Sequence, residues 1–269
     1  MSASERDLER WKAIAIEAAE AAGRVLMEHY GRLDRSKIRT KSAARDLVTA
    51  ADVASERAVV AVLRREVPEH AIEAEEEVRD ARSNGPSELR WFVDPLDGTT
   101  NFVHQLPAFS VSLGLFAGTT PLVGVVNAPR LGELFAARAG GGTTLNGERV
   151  QVSGATDLRD AILATGFPYR RESLAQANAE NLCRFILDVR DLRRMGSAAL
   201  DLAYVAAGRM DGFWELHLAP HDVAGGALLV REAGGIVSDA HGDEDWLRGG
   251  HILACAPGLH AALRERVRA

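Results

Sequence analysis

Apolar residues recur at spacings of three and four near the start of the chain, which predicts an amphipathic helix with one buried stripe. The stripe consists of Leu8, Trp11, Ala15, Ala18, Ala22, Val25 and His29. Ser4, followed three residues later by Asp7, fits an N-cap, and Gly31 is the predicted stop. The stretch "TAADVASERAVVAVLRREVPEH" at 49–70 predicts a second helix, which Pro68 ends.

The apolar pattern changes from Ala108 onward. "FSVSLGLF" alternates, "LVGVVNA" is β-branched, and "GELFAAR" and "RVQVS" follow, with glycine-rich turns at 140–142 and 146–147. This predicts an antiparallel meander. After about residue 155, strands such as "AILAT", "MDGFWEL" and "GHILACA" alternate with helical segments. We therefore expect a layered α+β fold with two halves. Residues 1–150 form an α+β half with the meander and a first acidic motif, and 151–269 form an α/β half with a second.

Composition limits the class of protein. The chain has 269 residues, of which 46% are hydrophobic and 26% charged, and its net charge is −6. We expect no membrane span and no signal peptide, and the acidic balance argues against direct nucleic-acid binding. Cys183 and Cys255 are isolated and show no metal-type spacing. We therefore predict a cytoplasmic protein with reduced cysteines.

Five acidic residues lie at the ends of predicted elements rather than on solvated helix faces: Asp52, Glu75, Asp94, Asp97 and Asp222. Taken singly, Asp52 and Asp222 also fit plain helix caps, and Glu75 lies in the charge run "EAEEEV". Asp94 and Asp97 are harder to explain structurally. They follow the strand "LRWFVDP", which is apolar on both faces, and buried carboxylates repel each other unless a cation lies between them.

A hard cation such as Mg²⁺ explains the stretch "WFVDPLDGTTNF" at 91–102. Pro95 fixes a turn that can direct both carboxylates to one side, together with the carbonyl of Leu96. Gly98 permits close approach of the backbone, and residues 98–100 begin a short helix whose free N–H groups favour an anion. Cations beside an anion site suggest a metal-bridged phosphate.

The same stretch, extended to "WFVDPLDGTTNFVHQLPAFSVSLGL", closely resembles the first signature of the inositol monophosphatase family of Mg²⁺-dependent, lithium-sensitive phosphatases. "DLVTAADVASE", "EAEEEV", "LATGFPYR", "RRMGSAALDLAYVAAGRMDGFWEL" and "HDVAGGALLVREAGG" resemble further family segments, and the last is similar to the second signature. The resemblance runs from about Lys41 to Asp239. It implies a layered αβαβα sandwich, two or three Mg²⁺ ions per site and, commonly, a homodimer.

The resemblance also implies residue roles. The metal ligands fall on Glu75, Asp94, the Leu96 carbonyl, Asp97 and Asp222, with Asp52 at a further, weaker site. The catalytic residues are Glu75, Asp94 and Thr99, of which Thr99 helps to orient the nucleophilic water. The substrate-binding residues are Gly98, Thr99, Thr100, Gly196, Ser197, Ala198, Glu215 and Lys41, the last on a loop over the site.

Two residues depart from the family pattern. His221 stands where the second signature has Trp; it is either a tolerated packing substitute or a residue that touches the substrate or tunes Asp222. Ala74 stands where the family often has Gly, which leaves Glu75, Glu76 and Glu77 as alternative ligands, although the spacing from Pro68 and His70 favours Glu75. We expect His104 and His217 to be structural.

The predicted function is therefore hydrolysis of a small phosphorylated polyol or sugar, first of all inositol-1-phosphate, by metal-activated water. The same chemistry on fructose-1,6-bisphosphate, histidinol phosphate or NADP(H) stays open. A non-catalytic partner in transcription or RNA processing is the alternative from another class.

Overall fold

The computed structural model describes residues 3–33, 39–40, 47–78, 88–168 and 171–269. Within these ranges the helices are α1 (Glu5–His29), α2 (Ala50–Glu66), α3 (Thr99–Val103), α4 (Arg171–Phe185), α5 (Ala198–Ala206), α6 (Pro220–Glu232) and α7 (His260–Arg266). The strands are β1 (Arg39–Thr40), β2 (Leu47–Val48), β3 (Ala71–Ala74), β4 (Leu89–Asp97), β5 (Ser110–Ala117), β6 (Thr120–Ala128), β7 (Glu133–Arg138), β8 (Gly142–Leu145), β9 (Glu148–Val150), β10 (Ile162–Thr165), β11 (Asp191–Arg193), β12 (Gly212–Leu216), β13 (Ile236–Ser238) and β14 (His251–Cys255).

The larger sheet has seven strands in the order β3-β4-β5-β6-β7-β8-β9. Strands β4 to β9 pair antiparallel with their neighbours, which confirms the predicted meander. Only its edge departs from that pattern, because β3 runs parallel to β4. This parallel pair places the carboxyl ends of β3 and β4 side by side.

The smaller sheet has five strands in the order β11-β10-β12-β14-β13. Strand β10 is parallel to β11 and β12, whereas β14 is antiparallel to both β12 and β13. All strands of the larger sheet come from 71–150 and all strands of the smaller one from 162–255. The division into halves at residue 150 agrees with this separation, and as a domain boundary it stays a prediction.

Helices occupy three layers around the two sheets. Helices α1 and α2 pack together on the larger sheet, α5 and α6 lie between the sheets, and α7 packs on the smaller sheet with α4 beside it. The middle layer explains why α6 is apolar nearly all round: its residues from Val223 to Val230 are buried. The predicted αβαβα sandwich is confirmed.

The helix ends follow the local sequence. Ser4 and Asp7 form a capping box at the start of α1, and the helix is capped by Tyr30, one residue before the predicted stop. In the described residues, no helix is both long and apolar enough to cross a membrane.

Candidate active site

Strand β4 ends in an irregular turn that carries two buried carboxylates. Its pairing with β5 is regular up to Asp94 and shifts before Asp97. The Pro95 carbonyl accepts a hydrogen bond from Ser55 Oγ at 2.7 Å, and Asp94 Oδ1 accepts one from the Leu96 N–H at 3.0 Å. The turn is thus fixed from both sides, with Asp94 2% and Asp97 9% exposed.

Glu75 reaches this turn because β3 is parallel to β4. Ala74 is paired with Val93, and the next N–H, that of Glu75, donates to the Val93 carbonyl at 3.1 Å. Glu75 therefore lies beside Asp94, and its charge raises the pKa of Asp94.

Glu76 and Glu77, the two residues after Glu75, make contacts of their own. The backbone N–H groups of Glu76 and Glu77 donate to the buried carboxylate of Glu56 at 2.7 and 2.8 Å. The Glu77 side chain pairs with Arg57 at 3.2 Å near the surface. These contacts occupy the Glu77 side chain, and the choice of Glu75 over its neighbours stays a prediction. Glu56, which organises this turn from α2, was not singled out by sequence.

Asp222 comes from the other half of the chain. It is the third residue of α6, and its Oδ2 accepts a hydrogen bond from the N–H of the N-cap residue Ala219 at 2.6 Å, so Asp222, like Asp52 in α2, takes part in the helix cap without being the N-cap residue. Its charge also raises the pKa of both Asp94 and Asp97. The three carboxylates are therefore neighbours across the two halves.

The electrostatics of this group are unfavourable without a cation. Burial raises the pKa of Asp94 well above its usual range, and the charges of Glu75, Asp97 and Asp222 add to the rise. Burial raises the pKa of Asp97 to about 7, against the opposing hydrogen bond from Ser197. These carboxylates crowd negative charge into a region with little water.

Asp94, Asp97 and Asp222 each also accept a hydrogen bond from a donor of the protein. In the part of the chain that the structure describes, no three His, Cys, Asp or Glu side chains stand closely enough together to hold a metal ion as they are arranged. The reason is visible for Asp97, whose Oδ2 accepts from Ser197 Oγ and from the Ala199 N–H, both at 2.7 Å. The group is close enough for mutual repulsion, yet its oxygens do not converge on one point.

Asp52 and Thr99 form a second polar pair beside the turn. The N-cap residue of α2 is Thr49 and not Asp52. Asp52 takes part in the cap from the third position of the helix, since its Oδ2 accepts from the Thr49 N–H at 2.8 Å. Its other oxygen, Oδ1, lies 3.1 Å from Thr99 Oγ1, which is also 3.1 Å from the Leu96 carbonyl. Asp52 is thus both a member of the capping box and a partner of the predicted catalytic threonine.

Gly98 occupies a position that requires glycine. Its φ is +93°, and a Cβ there would lie 3.0 Å from the Ala108 carbonyl and 3.1 Å from the Gly196 carbonyl. The turn is therefore clamped between the backbones of both halves. It leads into α3, the predicted short helix, with Thr99 buried and Thr100 exposed.

Asn101 fastens the same turn and was not predicted. Its Nδ2 donates to the Ala108 carbonyl at 2.6 Å and to the Met195 carbonyl at 2.8 Å. The second bond positions the segment that leads into Gly196. The only sequence signal was an amide directly after "GTT" in the motif.

A cavity of about 100 Å³ opens beside Asp97 and Asp222. Its lining includes Gly166, Arg194, Gly196, Ser197, Ala198, Asp201, Glu215 and His217. The predicted substrate contacts at 196–198 and 215 are thus brought to one place. Lys41 lies outside the described residues. The Ser197 hydroxyl already bonds to Asp97, so its predicted contact with substrate stays a prediction.

Glu215 is a buried carboxylate in the lining of this cavity. Burial raises its pKa to about 8, although the charge of Arg194 opposes the rise. Its carboxylate lies directly over Gly166, where any Cβ would collide with it. Gly166, in "LATGFPYR", is therefore needed to leave room for the Glu215 carboxylate.

Two histidines, His217 and His221, lie next to the acidic cluster or the cavity. His217 lines the cavity with φ of +63°, an uncommon value for a residue other than glycine, and the expectation that it is structural stays a prediction. His221 Nε2 lies 3.7 Å from Asp222 Oδ1, and its side chain is 15% exposed. Of the two interpretations of His221, the geometry favours an influence on Asp222.

Nearly the whole chain matches known proteins. The model of the inositol monophosphatase family matches residues 7–269. The chain belongs to the inositol monophosphatase family. It is 43% identical to the Nus factor SuhB of Pasteurella multocida over 255 residues, which cover 95% of this chain and 94% of that protein.

Solved structures agree in fold. The inositol monophosphatase of Anabaena is 40% identical in sequence and has a TM-score of 0.85, and the match covers 96% of this chain and 95% of that chain. The extragenic suppressor protein suhB of Bartonella henselae is 38% identical and has a TM-score of 0.87, and the match covers 95% of this chain and 97% of that chain. The predicted family is thereby confirmed.

Proposed function

We propose that this member of the inositol monophosphatase family is a Mg²⁺-dependent phosphate monoester hydrolase and that inositol-1-phosphate is its first candidate substrate. The observation that carries the proposal is the burial of Asp94 and Asp97 next to Glu75 and Asp222, with pKa values raised by burial and by one another. A fold tolerates such a cluster when it serves a ligand that offsets the charge.

The donor set fits a hard divalent cation. Carboxylate and carbonyl oxygens are the ligands that Mg²⁺ prefers, and its charge would remove the repulsion within the cluster. Glu75, Asp94, the Leu96 carbonyl, Asp97 and Asp222 would hold two ions, with Asp52 near a weaker third site. When bound, Mg²⁺ supplies a lowered pKa for water and charge compensation for the phosphate and the leaving alkoxide.

Thr99 is suited to orienting the attacking water. A hydroxyl has one hydrogen to donate and two lone pairs to accept with. Thr99 Oγ1 lies within bonding distance of both Asp52 Oδ1 and the Leu96 carbonyl, so it donates to only one of them at a time. While it donates to Asp52, it accepts a hydrogen bond from the water and holds it in place. Glu75 is the proposed acceptor of the proton.

The backbone at 98–100 is the proposed phosphate cradle. The left-handed conformation of Gly98 starts α3, whose first N–H groups have no partner within the helix. The rest of the substrate would lie in the adjoining cavity, near Gly196, Ala198 and Glu215.

A panel of phosphate esters tests the reaction. The wild-type chain should release phosphate from inositol-1-phosphate with Mg²⁺ and not with EDTA, and Asp94→Asn should lose nearly all of this activity. Asp160→Asn is the matched control, since Asp160 is exposed and its side chain pairs with Arg190 at 2.7 Å, away from the acidic cluster. Unchanged turnover in Asp94→Asn would refute the metal assignment.

The same panel identifies the substrate. Fructose-1,6-bisphosphate, histidinol phosphate and NADP(H) remain the alternatives, and the highest kcat/KM decides among them. We also propose that the chain forms a homodimer in the cytoplasm. Light scattering of the purified protein measures its oligomeric state, and cell fractionation tests its location.

A role as a Nus factor is the second candidate, because relatives with that name share over 40% of their residues with this chain. Capture of partners from cell lysate by wild type and by Asp94→Asn separates the two roles. A specific partner retained by the inactive variant supports a binding role beside, or instead of, hydrolysis.

A further inference from the structure

Strand β5 carries two serines, Ser110 and Ser112, that stand opposite the two buried aspartates of β4. The register pairs Ser110 with Asp97 and Ser112 with Asp94. Residues directly opposite each other in an antiparallel pair project their side chains to the same face of the sheet and lie close together. Each serine is therefore the neighbour of one proposed metal ligand.

The side chains of Asp94 and Ser112 both face the middle layer of helices. Val93 belongs to the apolar cluster that α1 and α2 form on the other face of the larger sheet, so Asp94, the next residue along β4, faces the middle layer. Leu113 belongs to the same cluster, so Ser112 also faces the middle layer. There α6 comes so close that a Cβ at Gly225 would lie 2.7 Å from Ser112 Oγ. The Ser112 hydroxyl thus lies beneath α6 and beside Asp94.

The fold makes no use of the Ser112 hydroxyl. The residue is fully buried, and within the residues that the structure describes its Oγ has no hydrogen-bond partner. A buried hydroxyl without a partner costs free energy, and native folds rarely keep one. Because neither its hydrogen nor its lone pairs are used, the hydroxyl is available to the neighbouring carboxylate.

The hydrogen bonds of the two aspartates indicate what Ser112 would add. Asp97 Oδ2 accepts from the Ala199 N–H and from the Ser197 hydroxyl, both at 2.7 Å. Asp94 accepts from one backbone N–H at 3.0 Å. The Ser112 hydroxyl would give Asp94 the same pair of donors, one amide and one hydroxyl. An ionised carboxylate has about four lone-pair sites, so two donors leave room for a cation.

We propose that the Ser112 hydroxyl donates a hydrogen bond to Asp94 in the Mg²⁺-bound protein and is a positioning residue of the metal site. The inference rests on the proposed function, since Asp94 is one of the proposed ligands. In that state the Asp94 carboxylate is ionised and can only accept hydrogen bonds, so the serine hydroxyl is the donor. Partners of this kind fix the orientation of a ligand, and their loss typically lowers metal affinity about 10- to 100-fold.

Titration of the metal-free Ser112→Ala chain with Mg²⁺ tests the inference. Alanine removes the hydroxyl and keeps the rest of the side chain. We expect the Kd for Mg²⁺ at one or more sites, measured by isothermal calorimetry, to rise by roughly 10- to 100-fold. The Mg²⁺ concentration that gives half-maximal phosphate release should rise in parallel. The urea midpoint should stay the same or rise, because the variant loses a buried hydroxyl that has no partner.

Ser238→Ala is the matched control. Ser238 is also a buried serine on a strand, but it lies on β13 in the smaller sheet. Its hydroxyl is bonded to the Asp239 carbonyl and to His260 Nε2, both at 2.9 Å. We therefore expect this variant to unfold at lower urea and to bind Mg²⁺ as the wild type does, the reverse of the result for Ser112→Ala.

A Kd within twofold of wild type in Ser112→Ala would overturn the inference and leave the proposed function standing. A lower urea midpoint, or a Ser112→Ala chain that does not fold, would also overturn it, because the hydroxyl would then already stabilise the fold through another partner. A wild-type chain that binds no Mg²⁺ would contradict the metal assignment of the proposed function and the inference together.

Discussion

The turn at Gly98 gives the sharpest test of how the two halves meet. In Gly98→Ala, the new methyl group would lie 3.0 Å from the Ala108 carbonyl, 3.1 Å from the Gly196 carbonyl and 3.3 Å from Phe109 Cα. All three are backbone atoms, so they cannot move aside as the end of a side chain would. The substitution also places a side chain at φ of +93°, which L-residues rarely adopt.

The two effects can be separated by a control variant. Gly147 has φ of +89°, and a Cβ there would meet nothing within 4 Å. Gly147→Ala therefore carries the backbone strain alone, about 1–2 kcal/mol. Gly98→Ala also crowds a packed region, which should lower the free energy of unfolding by about 1–3 kcal/mol more. The total free energy of unfolding of a protein is roughly 5–15 kcal/mol.

Urea unfolding of both variants measures the difference, and phosphate release measures its consequence. We expect Gly98→Ala to be less stable than Gly147→Ala by about 1–3 kcal/mol and to lose most of its turnover, because the crowding displaces the start of α3. Gly147→Ala should keep full turnover. Equal stabilities, with turnover retained in Gly98→Ala, would refute the clamped turn.

Three further predictions concern the site. Thr99→Val should lower kcat about 100-fold, because it removes the hydroxyl that orients the water. Its control, Thr143→Val, loses a buried hydrogen bond to the Leu229 carbonyl and should lower stability but not kcat. Equal kcat values in the two variants would exclude a catalytic role for Thr99. LiCl at millimolar concentration should inhibit Mg²⁺-dependent phosphate release more strongly than NaCl, and equal inhibition by both salts argues against a lithium-sensitive second metal site. His217→Gly should keep or raise the free energy of unfolding, by up to about 1 kcal/mol, since it relieves a positive φ; a clear loss of stability would show that the edge-to-face contact with His251 dominates.

The fold was predictable where periodicity was strong. The long amphipathic pattern of α1 and the alternating strands from Ser110 to Arg138 gave the element types directly, because burial on one face imposes those periods. Short strands were harder. Strand β8 at Gly142–Leu145 begins within glycines that read as a turn, and β11 at Asp191–Arg193 is polar and lies at a sheet edge.

The acidic residues of the candidate site could be proposed from the sequence, but the residues that hold its backbone in place could not. Two aspartates at the end of an apolar strand signal a ligand by residue type alone. Glu56 and Asn101 instead act through backbone groups that are distant in sequence, at Glu76 and at Met195. Such partners depend on the tertiary fold, so no local pattern marks them.

Direct titration of the metal-free chain with Mg²⁺ tests most directly whether the buried carboxylates form a metal site. Isothermal calorimetry on wild type and Asp94→Asn, with Asp160→Asn as control, gives the number of sites and their affinities. We expect saturable binding by wild type and by Asp160→Asn, and loss of at least one site in Asp94→Asn. Identical titrations for all three proteins would contradict the assignment of Glu75, Asp94, Asp97 and Asp222 as metal ligands.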